Sequence, residues 1–122
     1  MSDEFLQAAR QEIGAEIQKM DEIINRSKND KKVFENSVAL KSCLHKIKGL
    51  APMAGEVEMG EIAKVGDAVI KHMIETGNHV GASKVMERAI DEMKNIFHGL
   101  SCAGVSDFKK IVKENFPHMA GS

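Results

Sequence analysis

Apolar residues recur at three- and four-residue intervals along most of this chain, and that spacing commits it to amphipathic helices packed on one another. Leu6, Ala9, Ile13, Met20 and Ile24 mark the first such segment, predicted from about Asp3 to Ile24 with Ser2 as its cap and the polar run Asn25 to Asp30 as its stop. The second runs from Lys31 to about Ala51, with Val33, Leu40, Leu44, Ile47 and Ala51 on one face. Pro52, Gly55 and the small residues between them predict a bend or loop. A third helix spans about Val57 to Glu75 over Met59, Ile62, Val69, Ile70 and Met73, stopped by Thr76-Gly77-Asn78. A fourth, about Gly81 to Phe97, turns Met86, Ala89, Ile90, Met93 and Phe97 inward, with Gly99 as its stop. Ser106 is expected to cap a short fifth helix, Asp107 to Asn115, ending near Pro117. Five phenylalanines as the only aromatics, two prolines and eight methionines favour helix over sheet. The expectation is an all-α fold, an antiparallel four-helix bundle with a short fifth C-terminal helix. Residues 1–118 are expected to form one domain and residues 119–122 a flexible end.

Composition narrows the function classes. A formal charge of −1 gives no nucleic-acid footprint. No apolar run approaches the ~20 residues a bilayer needs, and Met1-Ser2-Asp3-Glu4 lacks the blocks of a secretory signal, so a cytoplasmic chain without membrane contact is expected. Cys43 and Cys102 have no C-x-x-C spacing and read as structural or incidental. His72, His79, His98 and His118 are dispersed, so no metal site is expected. No phosphate-binding glycine loop, paired carboxylates or nucleophile beside a base is present, and the chain is too short for a kinase catalytic domain.

One stretch carries chemistry: Leu44-His45-Lys46-Ile47-Lys48-Gly49-Leu50-Ala51-Pro52-Met53-Ala54-Gly55. His45 falls about 125° around the helix from the centre of the apolar stripe, at ~100° per residue, and so faces solvent. Lys48 follows it by three residues and Lys41 precedes it by four, so both ammonium groups share its side of the helix. Two flanking cations favour an unprotonated ring nitrogen and attract a dianionic phosphoryl group. Gly49 leaves a surface that a partner can approach closely.

His45, Ile47, Lys48, Gly49 and Gly55 resemble the H-x-[LI]-K-G-(x)5-G signature of histidine-containing phosphotransfer (HPt) domains, particularly those at the N-terminus of CheA-type chemotaxis kinases. The resemblance is best from about Phe34 to Met73. It implies a helical bundle whose histidine is phosphorylated by a histidine kinase domain and passes the group to an aspartate of a response regulator. ATP and magnesium would belong to those partners, and the chain would have no cofactor or kinase activity of its own. It would act as a monomer in two-component or chemotaxis signalling.

The resemblance also implies that a carboxylate at Asp67 accepts a hydrogen bond from the imidazole. Asp stands here where the family usually has Glu, and Lys64 aligns with a position that is often His. Gly60, Lys64, Asp67 and Lys71 form one strip on the third helix that can face His45. Phe34, Val38, Lys41, Gly49, Met53 and Gly55 are the candidate docking residues for a partner. The rival reading is a helical module that binds a signalling partner without being phosphorylated.

Overall fold

The computed structural model describes residues 2–119 and consists of six helices: α1 (Asp3–Arg26), α2 (Asp30–Glu35), α3 (Ser37–Met53), α4 (Val57–Thr76), α5 (Ala82–Phe97) and α6 (Val105–Asn115). The chain is an all-α helical bundle. Helices α1, α3, α4 and α5 close a four-membered ring around one core, α3 lying between α1 and α4, and α5 completing the circuit from α4 back to α1. Facing residues show the directions. Leu44 of α3 meets α4 at Gly66 while Pro52, further along α3, meets it at Gly60, so the two helices run antiparallel. Arg10 of α1 lies on Phe97 of α5 while Asp21 pairs with Lys94, again an antiparallel arrangement.

The periodic apolar positions form this core. Ala9, Ile13, Met20 and Ile24 of α1, Leu40, Leu44, Ile47 and Ala51 of α3, and Met59, Ile62, Val69, Ile70 and Met73 of α4 are all buried. Each fully buried Leu, Ile or Met contributes roughly 1.5–3 kcal/mol of transfer free energy. Leu6 and Phe97 sit instead at the rim, where Phe97 lies over Gly14 and under the Arg10 guanidinium.

The first helix begins as expected, its Phe5 N–H bonded to the Ser2 hydroxyl at 3.2 Å. The expected single helix from Lys31 to Ala51 is two helices. Asn36 leaves helical geometry at φ −100°, ψ 16°, and its side-chain amide donates to the Lys32 carbonyl (2.9 Å) and to the Ser27 hydroxyl (3.2 Å). An asparagine that satisfies backbone groups through its side chain competes with the helical ladder, and here it wins. Asn29 caps α2 through Lys32 N–H. Asp30 acts at long range: its carboxylate accepts the N–H groups of Gly81 (2.9 Å) and Ser83 (2.8 Å), capping α5 and fastening α2 to the connection before it.

Two further boundaries differ from expectation. Helix α3 continues through Pro52 to Met53 rather than ending at Ala51, and the Pro52 ring seats on α4 where Gly60 has no side chain; a Cβ there would lie 2.8 Å from Pro52 Cγ. Helix α6 starts at Val105 with Gly104 before it, so Ser106 lies inside the helix and does not cap it. The Gly104 N–H is held by Glu92 at 3.2 Å, which fixes the entry. Phe108, Val112 and Phe116 then cover α4 and α5. Met119 is buried as well, so packing extends past residue 118, and residues 120–122 lie outside the described residues.

Candidate functional site

The close packing of α3 on α4 brings His45, Lys41 and Lys48 of one helix over Asp67 of the other. His45 projects to solvent, its side chain 69% exposed, as its position opposite the apolar stripe requires. Asp67 is a buried side chain on the inner edge of α4. Lys41 Nζ donates to Asp67 Oδ1 at 3.0 Å, and Lys48 Nζ donates to Oδ2 at 3.2 Å. His45 Nδ1 stands 3.9 Å from the same Oδ2. That separation is electrostatic contact rather than a hydrogen bond, and the ring's Nε2 is the nitrogen directed away from Asp67.

The hydrogen bond from the imidazole to the carboxylate is therefore not formed in this arrangement. An aspartate is one methylene shorter than the glutamate the resemblance leads one to expect, and its two oxygens are occupied by lysines. Burial pushes the Asp67 carboxyl up, but the hydrogen bonds and charges of Lys41 and Lys48 outweigh it and hold the group below its ordinary value of 3.8. Asp67 is thus ionised at neutral pH. The two lysines do not flank the imidazole as free cations; each is tethered to the carboxylate beside it.

Lys64 is exposed and makes no ion pair among the described residues, so it is near Asp67 in sequence but outside this cluster. Lys46, adjacent to His45, turns the other way and pairs with the buried Glu16 of α1 at 3.8 Å, alongside Lys19.

The candidate docking residues separate into two groups. Val38 is 78% exposed and Met53 52% exposed, Gly49 faces open space, and Gly55 turns the chain at φ 82° with nothing within 4 Å of a Cβ. Val38 and His45, seven residues apart, share one line along α3. Phe34 is different: it is half-buried against the core and stacks on His79 with ring centroids 4.9 Å apart, so it braces α2 against the α4–α5 connection. Lys41 is held by Asp67 and is not a free docking cation. Val57, 71% exposed just beyond the bend, is a further exposed apolar side chain and had no marker in the periodicity because it opens its helix.

Neither cysteine has a partner cysteine. Cys43 is buried beside Glu16, and desolvation with that carboxylate pushes its thiol up to about 11, so it is a core residue and not a nucleophile. Among the described residues no group of His, Cys, Asp and Glu is placed to hold a metal ion, and no helix is long and apolar enough to cross a membrane. No protein-family profile, no curated protein and no solved structure matches the chain.

Proposed function

We propose that the chain is a phosphoryl carrier of the histidine-phosphotransfer kind, with His45 Nε2 as the atom that accepts and donates the group. The observation that supports this best is a solvent-facing imidazole whose Nδ1 side is backed by an ionised, buried carboxylate while two ammonium groups stand on the same surface. A carboxylate behind one ring nitrogen stabilises the charge the ring acquires when the other is phosphorylated. An ammonium close by offsets the added phosphoryl charge, as charge-assisted contacts do. The open surface at Gly49 and Gly55 leaves room for a second protein to reach His45.

On this reading a histidine kinase domain supplies the phosphoryl group from ATP, and the aspartate of a response regulator, with its magnesium, receives it. The chain itself contributes the acceptor nitrogen, its charge environment and a docking surface in which Val38, Met53 and Val57 provide exposed apolar contact. It works in the cytoplasm and has no catalytic cycle of its own. The test is a two-stage transfer: labelled ATP and a histidine kinase catalytic domain are used to charge the chain, which is repurified and mixed with a receiver domain. Label should move to the receiver from the wild type, and His45→Gln should carry none. Saturable kinase or receiver binding without label on the chain would favour the rival interaction module.

A further inference from the structure

Asp67 holds more cation than one carboxylate needs. Lys41 occupies Oδ1 and Lys48 occupies Oδ2, and the oxygen shared with the His45 side is the one Lys48 holds. The two lysines therefore differ: Lys48 holds Oδ2, the oxygen that His45 also approaches, whereas Lys41 pairs with Oδ1.

Their roles separate once a phosphoryl group is present, which rests on the phosphotransfer reading above. With phosphoramidate as donor, the Nε2 lone pair forms the new N–P bond, the P–N bond of the donor breaks, and its nitrogen leaves as ammonia. The ring keeps its Nδ1 proton and becomes a cation facing Asp67. The phosphoryl group brings a dianion to the same face. If Asp67 had one lysine, that lysine would be contested: leaving strands a buried carboxylate beside new negative charge, and staying leaves the phosphoryl oxygens unneutralised. Two lysines on separate oxygens remove the conflict.

We propose that Lys41 is a positioning residue that keeps Asp67 paired through Oδ1, so that Lys48 is released from Oδ2 to the phosphoryl oxygens and the vacated Oδ2 faces the Nδ1–H of the phosphorylated ring. The groups around Asp67 are consistent with this division. Lys41, His45 and Lys48 are the ionisable groups of α3 that reach it, while Lys64 and Lys71, on α4 itself, are exposed and make no ion pair among the described residues. The two side chains are equally exposed, Lys41 36% and Lys48 37%, so the division rests on which carboxylate oxygen each one holds.

The experiment uses the whole chain, phosphoramidate and NMR. Phosphorus spectra follow phosphorylation of His45, and nitrogen-15 spectra follow the Lys41 and Lys48 ammonium groups. In the wild type, phosphorylation should shift Lys48 Nζ and leave Lys41 Nζ nearly still. Lys41→Met keeps the apolar stem and removes the charge; it should reduce the phosphorylation-linked shift of Lys48 at least by half and slow labelling about three- to tenfold, the scale of one partly screened charge-assisted contact. Lys41→Arg should restore both, because a guanidinium still pairs with Oδ1. Labelling of the wild type with equal movement of both lysines, or Lys41→Met that labels and shifts as the wild type does, would overturn this inference and leave phosphotransfer standing. No labelling of His45 at all would overturn both.

Discussion

Replacing Asp67 by asparagine tests the electrostatic centre of the fold's α3–α4 seam. The substitution preserves shape and removes the charge to which Lys41 and Lys48 donate at 3.0 and 3.2 Å. A hydrogen bond to a charged group is worth ~1.5–3 kcal/mol when shielded. Here both ammonium groups are more than a third exposed, so solvent screening reduces each contact to about 0.5–1 kcal/mol. The expected loss is about 1–2 kcal/mol, or a fall in Tm of about 3–10 °C for a chain of this length. Its pH dependence is fixed in sign. Because the Asp67 carboxyl sits below its ordinary 3.8 in the folded chain, its contribution is complete above that value and disappears as pH falls through the lower native one. Urea denaturation of wild type and Asp67→Asn should show the gap at pH 7 and see it narrow only below pH 4. Equal stability at pH 7, or a gap undiminished at pH 3, would refute the lysine-paired carboxylate.

Other expectations concern packing and reactivity. Gly60→Ala adds helix propensity but drives a Cβ to 2.8 Å from the rigid Pro52 ring, so it should destabilise by about 1–3 kcal/mol in thermal melts. Gly49→Ala meets nothing within 4 Å and should stabilise by about 0.5–1 kcal/mol, whereas a bulky residue at 49 should impair transfer to a receiver more than small-molecule phosphorylation of His45. Asp30→Ala removes both side-chain acceptors at the start of α5 and should cost about 1–2 kcal/mol, with amide exchange accelerated at Gly81 and Ser83. Cys43 should resist iodoacetamide at pH 8 until the chain is unfolded, because its thiol is buried and titrates near 11.

The long helices were legible because a 3.6-residue period is a property of local sequence, and the stripes Leu40-Leu44-Ile47-Ala51 and Met59-Ile62-Val69-Ile70-Met73 declare which faces must be covered. The exposure of His45 followed from the same geometry. What escaped was decided across the fold. Asn36 breaks a helix through bonds to Ser27 and Lys32, Asp30 caps a helix some fifty residues away, and Pro52 stays helical because Gly60 receives it. At the site, sequence spacing put Lys41 and Lys48 beside His45, but only the packing of α3 on α4 showed that both are tied to Asp67 and that the shorter carboxylate stops 3.9 Å from the imidazole. Phe34 carried an apolar surface signal and is instead spent on His79, a partner no local pattern could reveal.

Whether His45 accepts a phosphoryl group is read from the position of the label after incubation with a histidine kinase catalytic domain and labelled ATP. Proteolysis at alkaline pH followed by tandem mass spectrometry should place one acid-labile, alkali-stable phosphate on the peptide containing His45, with none on His72, His79, His98 or His118. Wild-type labelling that persists in His45→Gln, or no labelling by kinase domains that charge other histidine carriers, would contradict it.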